Sequence, residues 1–174
     1  MKSLKRNIVI AMMMLLILIT IPTVSKAYVN YRHGYYHSIV NVNALILQST
    51  KYTTPYRNSM AAWNGATSRI RWGNVNASQN VIRAIDNNTY TWFGIYNAYD
   101  LKPNGRAGRF IIRINDERIR ANNNFRQSVI VHEMGHALCL DHTTSSTSIM
   151  SYNRDRYRII KPNADDVRGV NYAY

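Results

Sequence analysis

A single cysteine, Cys139, stands among 174 residues, so no disulfide can form within the chain and packing alone must hold it together. Acidic residues are scarce too: nine Asp+Glu face 22 Lys+Arg, and the first hundred positions hold only Asp86 and Asp100. Calcium sites are built from clustered carboxylates, so the sequence argues against Ca²⁺. No apolar run reaches the about 20 residues that span a bilayer. The basic residues are scattered, with no dense run and no nucleic-acid motif, which argues against a nucleic-acid partner.

The longest apolar run, Ile8 to Ile21, follows a basic start of Lys2, Lys5 and Arg6 and is broken by Pro22. Ser25-Lys26-Ala27 then offers small residues at the −3 and −1 positions of a cleavage site, so residues 1–27 read as a secretory signal peptide. The alternative is an uncleaved membrane anchor. Cleavage after Ala27 would leave 147 residues, one domain's worth, with no room for a propeptide. The first 27 residues carry four of the Lys+Arg and none of the Asp+Glu, so the mature charge is +9. That charge suits an anionic cell-surface or cell-wall polymer, or simply keeps the protein soluble. The expected product is a secreted, extracellular monomer. Its wealth of Asn, Ile and Tyr points to a bacterial source.

The densest chemistry lies in His132-Glu133-Met134-Gly135-His136, continued to His142. Two histidines four apart on a helix project from one face, one turn apart. Both neutral imidazoles can reach one Zn²⁺, at about 2.0–2.1 Å per bond. Glu133, next in sequence to the first ligand, falls beside the metal rather than on it, where it can take a proton from water. His142 can supply a third imidazole if the helix ends first, which leaves one metal position open.

His132 to His142 resembles the H-E-x-x-H-x-x-G-x-x-H signature of the metzincin metallopeptidases, and looks most like the matrixin branch with its small bacterial relatives. Two further features agree. Met150, eight residues after His142, is similar to the Met-turn under the zinc, and Asp165-Asp166-Val167-Arg168-Gly169-Val170 is similar to the closing helix of matrixin domains. The resemblance implies an α+β fold, a twisted, mixed, mostly parallel five-stranded sheet with three helices. A zinc cleft would lie between an N-terminal subdomain, ending near residue 142, and a C-terminal subdomain over 143–174. It implies one catalytic zinc on His132, His136 and His142, Glu133 as general base, and a protein or peptide substrate bound in extended form.

The sequence departs from the family in places. The family's glycine, which ends the helix in a left-handed backbone, is Cys139 here; the turn is either strained or built differently, and the sulfur is either a small buried thiol or one that approaches the metal. A matrixin propeptide blocks its zinc with a cysteine, and the one cysteine here lies inside the motif. Ser148-Ile149-Met150-Ser151-Tyr152 resembles the Met-turn of astacins and serralysins, which makes Tyr152 a candidate oxyanion stabiliser. Asn153-Arg154 replaces the matrixin P-x-Y segment that lines the S1′ pocket, so that specificity does not transfer. The alternative function is a secreted basic binding protein whose zinc is structural, with the fourth position filled.

Along the chain, Tyr28 to Tyr36 reads as an irregular arm, and His33 and His37 as surface histidines. Ser38 to Leu47 is expected as the first strand, and Thr54-Pro55 as a helix start with threonine capping. Tyr56, Met60, Trp63 and Thr67 would form that helix's core face. Arg69–Trp72, Asn80–Ile85 and Thr89–Tyr96 are strand candidates. By position, Gly108–Asn115 resembles the antiparallel edge strand that pairs with substrate in metzincins, with an ordinary core strand as the other reading. The zinc helix is expected from Phe125 to about Leu140 behind an asparagine cap, and the last helix from Asn163.

Overall fold

The computed structural model describes residues 29–174; the leader expected over residues 1–27 lies outside the described residues. Among these, no helix is long and apolar enough to cross a membrane. Strands β2 (Ile39–Val42) and β3 (Arg71–Asn74) pair in parallel. Between them runs the crossover helix α1 (Thr53–Ala66). β4 (Val81–Ile85) pairs in parallel with β6 (Arg109–Asn115), and β5 (Gly94–Tyr99) joins the other side of β6 antiparallel. A bridge from Asn43 to Val81 links the two groups, giving five strands in the order β3-β2-β4-β6-β5. The expected mixed five-stranded α+β architecture with three helices is present.

The core lies between sheet and helices. Period-2 alternation puts Phe110, Ile112 and Ile114 of β6 on one buried face, with Val40, Val42, Trp72 and Ile82 from its neighbours. Against them pack Tyr56 and Trp63 of α1 and Ile130, Met134 and Leu138 from or just after α2 (Asn123–Ala137). Trp63 Nε1 donates to the Val131 carbonyl at 3.0 Å, which fixes α1 against α2.

Several boundaries differ from expectation. The residues Thr50–Tyr52 form a 3₁₀ turn that runs directly into α1, so the helix starts at Thr53 and Thr54 is no cap. The first strand is short because Leu45–Gln48 turns into a 3₁₀ helix. The strand expected over 89–96 begins only at Gly94. Asn115, fully buried, accepts from Asn87 N–H and donates to the Asn87 carbonyl, holding residues 87–93 as a loop. Nor is the N-terminal arm irregular: β1 (Val29–Asn30) pairs antiparallel with β7 (Leu140–Asp141), and Tyr31 and Tyr35 N–H groups bond the Cys139 and Ala137 carbonyls.

The edge strand expected to pair with substrate lies elsewhere in the sheet. Gly108–Asn115 is not an edge: β6 is the central strand of its three, flanked by β4 and β5. The antiparallel edge beside the histidines is β5. An alternating apolar strand reads the same at the centre or the edge of a sheet, so only the pairing decides.

Candidate metal centre and cleft

Helix α2 begins where Asn122 Oδ1 accepts from the N–H groups of Asn124 and Phe125, at 2.8 and 3.2 Å. This cap sets the helix register that turns His132, Glu133 and His136 toward β5 and the chain beyond His142. The helix ends at Ala137, and Cys139 takes a φ of +68°, the left-handed turn that the glycine pattern demanded. A Cβ in that region costs about 1–2 kcal/mol. The Cys139 thiol does not join the histidines; it donates to the Tyr174 hydroxyl at 3.6 Å. Gly34 closes over the turn so tightly that a Cβ there would meet Cys139 Sγ at 2.3 Å and its backbone N and Cα at 2.5 Å.

The three imidazoles converge. His142 Nε2 lies 3.2 Å from His132 Nε2 and 3.1 Å from His136 Nε2. Ligands held about 2.05 Å from a tetrahedral centre would stand about 3.3 Å apart, so the set fits zinc. The opposite nitrogens are spoken for: His132 Nδ1 donates to the Ile149 carbonyl and His136 Nδ1 to the Leu140 carbonyl, both at 2.8 Å. Those bonds fix the tautomer and leave the Nε2 lone pairs free for a metal. Burial first, then Arg154, pulls the His132 pKa well down; burial and then His142 bring His136 to about 4. Both are therefore neutral near pH 7, as ligands must be. Among the described residues no fourth His, Cys, Asp or Glu joins the cluster.

Beneath the site, Met150 is buried, and Gly135 makes room for it: a Cβ there would lie 2.4 Å from Met150 Sδ. The turn is anchored from α3 (Ala164–Ala173), where the capping-box residue Asp166 accepts from Ile149 N–H at 3.0 Å and from the Ser148 hydroxyl. Asp166 thus ties the last helix to the Met-turn. Asp165 instead pairs with Arg168.

Glu133 is 5 % exposed and faces a cleft of about 530 Å³ between β5 and residues 141–156. Burial pushes its pKa up to about 8, against Arg154 and a Tyr96 backbone N–H that favour the anion. Gly94 of β5 sits directly over it: a Cβ there would meet Glu133 Cγ and Oε1 at 2.8 Å. Tyr152 is 62 % exposed at the rim, its ring stacked on His142 at 3.9 Å. His37 is exposed, while His33 is half-buried, bonded to the Gly105 carbonyl and apart from the cluster.

Sequence reasoning missed Gly94, Gly135 and Arg154. Arg154 reads as a surface arginine, yet it is 4 % exposed and donates to Ser128 Oγ and to the Ser128 and Ser151 carbonyls. Burial, then repulsion by Arg156, lowers its pKa to about 9. The signal available was its place, four residues past Met150, where the family carries another segment.

Three convergent imidazoles on a capped helix and the turn after it, a buried carboxylate beside them and a methionine beneath define a metzincin-type metal centre. The family model of the matrixins matches residues 87–174, and with half the chain matched the protein belongs to the matrixin family, whose members are zinc metallopeptidases. No curated protein matches the chain.

Proposed function

We propose that this protein is a secreted zinc endopeptidase that cleaves extended peptides with Glu133 as general base. The observation that carries the reading is Glu133 itself, a buried carboxylate in an open cleft beside three converging Nε2 atoms. His132, His136 and His142 would hold the metal. When bound, zinc lowers the pKa of water toward about 7 and polarises a carbonyl.

The remaining chemistry belongs to the chain. Glu133 takes the proton of the attacking water on its carboxylate and returns it to the leaving amine nitrogen. The edge strand β5 offers main-chain groups to which an extended substrate adds as a further strand, whatever its side chains. Tyr152, whose ring stacks on His142 at the mouth, would steady the oxyanion. The leader-like residues 1–27 support secretion, and the surplus of basic residues favours an anionic surface partner. Among the described residues no fourth His, Cys, Asp or Glu joins the cluster, which speaks against the structural-zinc alternative.

The test is hydrolysis of a fluorogenic peptide library by wild type, Glu133→Gln and chelator-treated protein. Cleavage that requires both zinc and Glu133 is expected. Zinc binding without Glu133-dependent cleavage would sink the enzyme reading.

A further inference from the structure

We propose that Arg154 and Arg156 form a carboxylate-binding subsite in the cleft, which selects peptides carrying an acidic side chain or a free chain end near the scissile bond. The inference rests on the zinc-endopeptidase reading and adds a substrate class to it.

Both arginines line the cleft that holds Glu133 and the three histidines. Arg154 is buried, yet its three hydrogen bonds all go to neutral oxygens of Ser128 and Ser151, at 2.7 to 3.1 Å. A guanidinium has five N–H groups, so two remain unused. Among the described residues no carboxylate lies within ion-pair distance of either arginine. Two carboxylates act on the Arg154 charge from farther off, Glu133 and Asp166. Asp166 is committed to Ser148, Ile149 and Asn163. Glu133 is the proposed base and makes no ion pair among the described residues.

Arg156 adds a second positive charge. It donates to the Tyr152 carbonyl at 3.1 Å and lies over the Phe93 ring at 4.9 Å, and its Nε is buried with no partner. Buried charges are ordinarily paired, because desolvating an ion without a counter-charge is costly. Two neighbouring guanidiniums with unused N–H groups on a cleft wall lack that partner. A planar carboxylate accepts from such a fork with charge-assisted geometry, which a neutral amide cannot match.

The experiment uses the zinc-loaded full chain and fluorogenic peptides that differ by one residue. A glutamate is walked through the positions flanking the scissile bond, each time paired with glutamine. A neutral peptide is also made with a free and with an amidated C-terminus. At one position Glu should exceed Gln in kcat/KM by roughly tenfold or more. The excess should shrink with salt and disappear in Arg156→Gln. If the free terminus is the better substrate instead, the subsite takes chain ends and the proposal stands. Arg154→Met, which loses the bonds to Ser128 and Ser151, is compared with Arg154→Lys; the charge-preserving variant should keep part of the preference. Equal cleavage of acidic and neutral peptides, or a preference for lysine, overturns the subsite while leaving the peptidase intact. If no peptide is cleaved, the peptidase reading fails, and fluorescence anisotropy of the same peptide pairs decides the subsite: tighter binding of the acid supports it, equal binding overturns it.

Discussion

Two glycine-to-alanine changes should act with opposite signs. At Gly94, the added methyl would lie 2.8 Å from Glu133 Cγ and Oε1 and 2.9 Å from Val129 Cγ1. Carbon atoms in contact prefer about 3.5–4.0 Å, so β5 or the Glu133 side chain must yield by close to an ångström. Overpacking of this size costs about 1–3 kcal/mol, and Tm falls by about 2–4 °C for each kcal/mol in a domain of this size. Catalysis should suffer more, since a reacting group misplaced by about 1 Å can lose about 100-fold in rate. Gly65 is the control. It sits exposed near the end of α1, and a Cβ there meets nothing within 4 Å. Gly65→Ala should therefore stabilise by up to about 0.5–1 kcal/mol and leave activity unchanged. The assay is Tm and kcat/KM on both variants at matched zinc content. A Gly94→Ala enzyme with wild-type Tm and rate would show that β5 does not press on Glu133, and the account of how the base is held would fail.

Other outcomes follow from the same contacts. Gly34→Ala should destabilise by about 1–3 kcal/mol or more in thermal melts, and Cys139→Gly should not rescue it, because two of the three nearest atoms are Cys139 backbone. Asp166→Asn leaves buried donors of the Met-turn poorly matched and should cost about 1–3 kcal/mol. It should also weaken zinc binding, read by chelator competition, because Ile149 orients His132. At acid pH, burial alone would raise the Asp116 pKa, but hydrogen bonds from Lys51 and Tyr52 outweigh it and hold the group below its ordinary 3.8. A depressed pKa stabilises above the ordinary value and is lost as pH falls through the folded one. Stability should therefore drop below about pH 4. Asp116→Asn should flatten that limb of a melt-versus-pH curve, and an unchanged limb would assign the acid loss elsewhere.

The zinc helix was legible because its signals are local. Asn122 caps it, histidine spacing sets its face, and Cys139 ends it with the left-handed backbone expected of the family's glycine. The closing helix was legible for the same reason, through the Asn163–Asp166 capping box. What escaped depends on partners distant in sequence. Strand β6 alternates apolar residues whether it lies at an edge or a centre, and only pairing with both β4 and β5 places it. Thr54 looked like a helix cap because no local pattern announces that a 3₁₀ turn will continue into α1. Arg154 is buried by Ser128, twenty-six residues away, a contact no spacing rule contains.

The central claim is one zinc held by three histidines with a position left open for chemistry that Glu133 performs. The most direct test is titration of metal-free protein with zinc while peptide cleavage is read at each point, for wild type and Glu133→Gln. Cleavage should rise to a plateau at one equivalent in wild type, while the variant takes up the same equivalent and stays inactive. Full zinc uptake with no cleavage in either protein, or equal cleavage in both, would contradict the account.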